Sequence, residues 1–423
     1  MRLVLVVPAF PRLSESFIVS KFLGLLDRGW DVHVVCHQSE AREWGRFPAL
    51  QGHDEARRRV HRVWRTDPRW LMPLRWPMAL LGAARHPMRL SRYVRRGRGA
   101  DALSRLRNAY LDSTLIGLGP DSVHFEFGAL AVGRTHLRRQ LGVRLTCSFR
   151  GYDLNFSGLE VPGYYDAVWR EVDAIHCLGQ DLWHRALHRG CPPAKPHVLI
   201  PPALDPGIWT PPDDRGGERL GTRERPIRLL SVGRLEWKKG YEFNLEVVHR
   251  LVRAGLACEY RIVGGGSHLE AVAFERKQMN LDSEVTLLGP QPAERVRREL
   301  VWADVFLHGA VSEGFCNGAI EAQAMRLPVV CSDADGLGEN VADGETGFVL
   351  PRRDPGAMAE AVRRLAEDPD LRLRMGRAGR TRVEQRFRIE DQLEAFDRFH
   401  RGPAGEEGLR ARVDDYGGSV HPS

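Results

Sequence analysis

The strongest constraint on the fold is a rhythm that runs twice along the chain and breaks once. A wholly apolar run, LVLVV (3–7), is followed by the amphipathic stretch SESFIVSKFLGLLDRG (14–29) and by a second apolar run, DVHVVC (31–36). Apolar runs joined through helical stretches form parallel strands covered on both faces. Ser14 or Ser16 is expected to cap the helix and Gly29 to end it. SVHFEF (122–127), VRLTCSF (143–149), AIHCL (174–178) and HVLIP (197–201) continue the series. Then DPGIWTPPDDRGGERLGTRERP (205–226) interrupts it with proline, glycine and charge, as a linker does. The rhythm restarts with strand IRLLSVG (227–233), helix YEFNLEVVHRLVRAG (241–255), strand CEYRIVG (258–264) and helix SHLEAVAFERKQM (267–279). VTLLG (285–289), DVFLHGA (304–310), LPVVCSD (327–333) and GFVLP (347–351) are further strands.

The chain therefore reads as α/β, with two doubly wound Rossmann-like domains over 1–205 and 227–385 and a linker over 206–226. A helix over 386–402 is expected to return to the first domain, and the tail 403–423, with little to bury, to be disordered. A length of 423 residues exceeds one core and agrees with two. Ligands of such sheets lie beyond the carboxyl ends of the strands, so the expected site is the cleft between two facing domains.

A hydrophobic content of 43% and a charged content of 28% suit a soluble globular protein. MRLVLVVPAF imitates a leader, but Pro8 and Pro11 interrupt it and no small-residue cleavage site follows, so it reads as a buried strand. No apolar run is long enough to cross a bilayer. Seven cysteines, scattered and without a CxxC pair or metal-ligand spacing, read as thiols of a cytoplasmic protein.

The net charge of +7 is local. Residues 57–98 hold thirteen arginines and one acid, Asp67, so this segment carries +12 and the remainder −5. Trp64, Trp70 and Trp76 lie among the arginines. Three readings stand: a patch for an anionic membrane surface, a site for an acidic or phosphorylated acceptor, or helices that pack a Trp/Leu face and leave arginines in water. No nucleic-acid module accompanies the segment, so nucleic acid is not expected as a partner.

Three turns at strand ends carry chemistry. VGRLEWKKG (232–240) adds Arg234 and Lys239 to a strand-to-helix turn that already favours an anion, and so reads as a phosphate site. VGGGSHL (263–269) fails as a dinucleotide fingerprint because Leu269 stands where its last glycine belongs. It reads as a close backbone approach or as a tight turn without a ligand. VSEGFCNGAIEAQAM (311–325) sets Glu313 in a glycine-rich turn and Glu321 near the start of the next helix.

Glu313-x7-Glu321, continued by EAQAMRLPVVCSD and GENVADGETGFVL, resembles the nucleotide-sugar site of retaining family 4 glycosyltransferases with the GT-B fold. GRLEWKKG resembles their diphosphate turn, and IVGGGSHL and VTLLGPQP match further landmarks in order. In the first half PRLSESFI, HFEFGA and FRGYDL are similar to the sub-group that builds bacterial exopolysaccharides such as colanic acid.

The resemblance implies that Arg234 and Lys239 hold the donor diphosphate, that Glu321 bonds the ribose hydroxyls and that Glu313 orients the donor sugar. Gly314, Phe315, Cys316 and Asn317 would offer backbone amides to sugar and phosphate. Leu288 and Gly289 would lie near the base and Gly265 near the donor. Ser14, Glu15, His124, Glu126, Arg150 and Asp153 are the acceptor-side candidates. Arg150 stands where many relatives have a histidine facing the donor sugar. It is either a charged sugar or phosphate contact or a surface residue.

No metal and no cofactor are expected. The co-substrate would be a nucleoside-diphosphate sugar, UDP or GDP, and the acceptor a saccharide or lipid-linked intermediate of surface polysaccharide. The expected place is the cytoplasm, peripheral at the inner face of the plasma membrane. The rivals are transfer to a small antibiotic-type acceptor and a catalytically silent sugar-nucleotide-binding protein.

Overall fold

The computed structural model describes residues 1–12, 15–63, 71–97, 102–212 and 216–402. Its described residues divide into two units, one of residues 1–178, 182–200 and 393 onward, the other of residues 179–181 and 201–392.

The N-terminal unit is built on a seven-stranded sheet: β1 (Arg2–Ala9), β2 (Asp31–Gln38), β3 (Val60–Arg62), β4 (Ser122–Phe125), β5 (Arg144–Phe149), β6 (Ala174–Cys177) and β7 (His197–Leu199). The order is β3-β2-β1-β4-β5-β6-β7, with parallel neighbours throughout. Leu3, Leu5 and Val7 of β1 and Val32 and Val34 of β2 are fully buried, packing with Phe22 and Leu25 of the helix Ser16–Asp27. That is the two-faced burial expected of a continuous apolar run.

The cap of this helix departs from expectation. Glu15 occupies the N-cap with no side-chain cap bond, Ser16 is already helical, and Ser14 lies outside the described residues. Gly29 follows the last turn with φ +77°, as a terminator should. β3 was hidden from the sequence because it lies in the arginine-rich segment and forms the sheet edge, where only three residues pair with β2.

The C-terminal unit repeats the architecture with six strands: β8 (Ile227–Val232), β9 (Cys258–Val263), β10 (Val285–Gly289), β11 (Val305–His308), β12 (Val329–Ser332) and β13 (Gly347–Leu350), in the order β10-β9-β8-β11-β12-β13. The segment expected as a linker is, where described, held on this unit: Leu220 N–H donates to Ala366 O at 2.9 Å and Arg372 to Glu218 O at 2.7 Å. The helix Ile389–Arg401 begins in this unit and ends in the N-terminal one, where Phe396 and Phe399 pack with Val198 and Ile200. The tail 403–423 lies outside the described residues.

Each sheet reverses its strand order once, between β1 and β4 and between β8 and β11. The turns that leave these strands at their carboxyl ends border the crevice where doubly wound sheets bind ligands.

Candidate active site

The turn 233–240 leaves β8 and the turn 309–316 leaves β11, and backbone contact joins them. Lys238 O accepts N–H groups from Val311 at 2.9 Å and Ser312 at 3.2 Å. Gly240 has φ +60°, and a Cβ there would lie 2.0 Å from Gly309 O, so no side chain fits. The turn after β9 packs equally closely: Gly264 has φ +148°, and a Cβ would lie 1.8 Å from Gly233 O. Of the two readings of VGGGSHL, the close approach is real, and the approaching group is the protein's own backbone.

This packing sets Lys239 against Glu313, whose carboxylate also lies 3.2 Å from His308 Nε2. The side chains of Lys239 and Glu313 are 13% and 10% exposed. Burial alone would raise the pKa of Glu313, but Lys239 and His308 outweigh it and hold the carboxyl at about 2. Burial would likewise disfavour a charged Lys239, yet Glu313 holds the ammonium above its ordinary range. For His308, burial is overcome by Cys316 and Glu313, which lift it to about 9.

The Glu313 turn is fixed from behind. Asp335 accepts from Ser312 Oγ at 2.6 Å and from Glu313 N–H at 3.0 Å, and Gly336 N–H reaches Glu313 O at 3.0 Å. Asn340 Oδ1 takes the Cys316 N–H at 3.2 Å. The expected role of Cys316 as an amide donor to ligand is thereby corrected, since its amide is spent inside the fold. The N–H groups of Gly314, Phe315 and Asn317 have no acceptor among the described residues. The Phe315 ring packs edge-on against Phe387 at 5.8 Å.

Glu321 lies on the helix Asn317–Ala324, part-buried, and its carboxyl has no hydrogen-bond or ion-pair partner among the described residues. Burial pushes it up to about 8. A part-buried helical carboxyl without a partner is a group waiting for donors. Arg234, 59% exposed, pairs with Glu236 at 3.0 Å. The strand β10 bulges between Leu287 and Gly289, which leaves Leu288 outside the ladder, while Leu288 O accepts from Gln291 at 2.6 Å. Gly265 O accepts from Leu235 N–H at 3.0 Å.

Three residues of this site were not anticipated: His308, Asp335 and Asn340. Only His308 had a signal, a polar residue inside the apolar run VFLHGA. His308, Glu313 and Cys316 each place one ligand atom within 4.8 Å of the others, a set able to hold a metal ion, though the Lys239 ammonium is paired with the same carboxylate.

The acceptor-side candidates fare differently. His124 is 0% exposed, with its ring nitrogens 2.9 Å from Thr146 Oγ1 and 2.8 Å from Ser148 Oγ. Glu126 is equally buried, paired with Lys21 and 3.2 Å from Arg150 Nη2. Both are corrected to interior roles, because neither reaches a surface where an acceptor could touch it. Asp153 accepts the N–H groups of Arg150 and Ala129, each at 3.0 Å, and so shapes the turn after β5. Arg150 is not a surface residue: its side chain is 13% exposed and stacks on Phe17 at 3.9 Å. Glu15 pairs with Arg12 at 3.5 Å, and its carboxyl is raised by burial. Ser14 lies outside the described residues.

The basic segment is mixed. Arg89 donates to Pro120 O, Arg92 to Leu141 O at 3.4 Å and Arg96 to Arg139 O at 3.1 Å, so several arginines serve the unit itself. Trp76 packs inward, 6.5 Å from Tyr110, whereas Trp64 and Trp70 lie outside the described residues. The helix Met72–Ala83 buries its small residues, Ala79 and Ala83, and exposes Leu74, Met78 and Leu81. No helix among the described residues is long and apolar enough to cross a membrane.

Comparison with known proteins agrees with this geometry. Residues 216–382 match the family of glycosyl transferases group 1, so the C-terminal unit carries a group 1 glycosyltransferase domain. Over 414 residues the chain is 26% identical to a protein named for colanic acid biosynthesis, the glycosyltransferase WcaL of Escherichia coli strain K12, covering 89% of this chain and 94% of that one. It is 25% identical over 414 residues to the amylovoran biosynthesis glycosyltransferase AmsK of Erwinia amylovora, covering 92% and 96%. The solved structure of Anabaena Alr3699/HepE in complex with UDP and glucose superposes with a TM-score of 0.68 over 94% of this chain and 98% of that chain, at 14% identity. The two doubly wound units are those of the GT-B fold.

Proposed function

We propose that this chain, with its group 1 glycosyltransferase domain, moves a sugar from a nucleoside diphosphate to a saccharide or lipid-linked acceptor of surface polysaccharide, with retention and without a metal. The observation that carries this reading is the joined pair of turns after β8 and β11. They gather at one strand-order reversal two cations, Arg234 and Lys239, with three amides and the Glu321 carboxyl that have no partner among the described residues. Each of these groups suits one part of a nucleotide sugar. Charged donors neutralise a departing diphosphate, which is where negative charge grows as the glycosidic bond breaks. Open amides at a helix start donate to the oxygens of phosphate or sugar. The two ribose hydroxyls supply the donors that the Glu321 carboxyl lacks.

The relatives named for colanic acid and amylovoran biosynthesis support a polysaccharide acceptor, and the UDP-bound neighbour supports UDP, with GDP as the other choice. The exposed apolar row of Leu74, Met78 and Leu81, with Met88 and Arg95 beyond it, suits the inner face of the plasma membrane. Flotation should carry the protein with anionic liposomes and not with neutral ones. Replacing the three residues by serine should release it without lowering its melting temperature.

The central test is calorimetry against UDP, GDP and ADP, followed by NMR of the transfer product. Binding of one nucleotide, lost on K239A and E321A, and an anomeric configuration equal to the donor's are expected. Absence of affinity for all three nucleotides would sink the reading, and an inverted product or a requirement for added metal would refute its finer part.

A further inference from the structure

His308 closes β11 amid apolar neighbours and is 1% exposed, a position where a leucine would pack without the cost of dehydrating a polar ring. Its Nε2 lies 3.2 Å from the same Glu313 Oε2 that meets Lys239. From this arrangement we infer that His308 is the standing counter-ion of Glu313, the positioning residue that frees Lys239 to leave this carboxylate for the diphosphate of the donor. The inference rests on the donor-site reading above.

The electrostatic logic is a matter of counting. In the free protein one carboxylate faces two cations, so the turn carries a surplus positive charge. When a diphosphate draws Lys239 away, Glu313 would become a buried and unpaired anion, which is strongly unfavourable. His308 removes that obstacle because it stays beside Glu313. It is too enclosed to meet the donor itself. The other titratable group facing His308 is Cys316, across the turn, while Lys238 acts on Glu313 and Arg234 on Lys239. Asp335 is engaged by Ser312 and Arg352 and leaves the Glu313 carboxylate to its two cations. His308 lies above its ordinary range, so it carries its charge at neutral pH.

The alternative is a histidine that merely fills and ties the strand end. A double-mutant cycle separates the two, because only a counter-ion depends on the charge of Glu313. The full chain is titrated by calorimetry with UDP, GDP and ADP as wild type, H308L, H308Q, E313Q and E313Q/H308L. H308L should weaken binding about tenfold, H308Q should recover part of the loss, and E313Q/H308L should match E313Q within about twofold. Wild-type affinity should also fall as the pH rises across roughly 8 to 10, as an imidazole raised in the fold loses its proton, and H308Q should lack this limb. If H308L does not fold, the missing limb in H308Q carries the test.

An H308L protein that binds as wild type does, or that loses equally on the E313Q background, overturns the inference while the donor-site reading stands. A wild type that binds none of the three nucleotides overturns both.

Discussion

Both sheets end in a lysine–glutamate pair at the reversal of strand order, and the two pairs have opposite surroundings. In the N-terminal unit Lys21, on the helix after β1, meets Glu126, just beyond β4, with side chains 2% and 0% exposed. Arg150, Phe17, His124 and Phe396 close over them. In the C-terminal unit Lys239, after β8, meets Glu313, after β11, with part of each side chain open and, among the described residues, no partner for three amides or for the Glu321 carboxyl. The same topology has been used once to lock a sheet end and once to leave it ready for a ligand. A charge pair alone therefore does not mark a site; neighbouring groups that a ligand can reach do.

That contrast can be broken by experiment, beginning with the largest effect. Glu126→Ala leaves Lys21 as an uncompensated buried cation and takes one of its carboxylates from Arg150, and should cost about 3–5 kcal/mol of stability, read by chemical denaturation. The paired change Lys21→Met with Glu126→Leu should cost much less, because no charge is stranded. Lys239→Ala should lose about ten- to a hundredfold in nucleotide affinity, since charge-assisted contacts are worth about 1.5–3 kcal/mol. An equal loss of nucleotide affinity for E126A and K239A, with equal melting, would erase the distinction between the two ends.

Glu321→Gln tests the unpartnered carboxyl through pH. A carboxyl raised to about 8 in the fold is neutral there while the unfolded chain's ionises near 4.5, so wild-type stability drains away as pH rises between those values. The glutamine variant should melt higher than wild type at pH 8, with the gain vanishing toward pH 4.5. A constant difference across this range would show that Glu321 is not held dry. Arg234→Ala should have the smallest effect, a few-fold loss of affinity that shrinks with salt, because its side chain is 59% exposed.

The sequence showed most of the scaffold because buried parallel strands are written as short stretches rich in apolar residues between helical ones, and twelve of the thirteen strands lie on such stretches. The thirteenth, Val60–Arg62, is a short edge strand whose partly exposed residues carry no such mark. In the site, Glu313, Glu321, Arg234 and Lys239 were legible from their places at strand exits. Asp335 and Asn340 were not, since they act from a later segment that reaches the turn only after folding. His124 and Glu126 were misplaced because their position at a strand end cannot tell a crevice wall from a sealed interior. The helix Ile389–Arg401 helps seal it, with Phe399 5.9 Å from His124.

The contact between the turns after β8 and β11 has a consequence for how such a chain can diversify. With Lys238 O bonded to both Val311 and Ser312, and Gly240 seated against Gly309, neither turn tolerates a lengthened or shortened loop without dislodging the other. Insertions and deletions are thereby barred from both at once. A descendant enzyme with a different donor preference has to arise by exchanging side chains on a fixed frame, or by remodelling the bulged exit of β10, which is free of this tether.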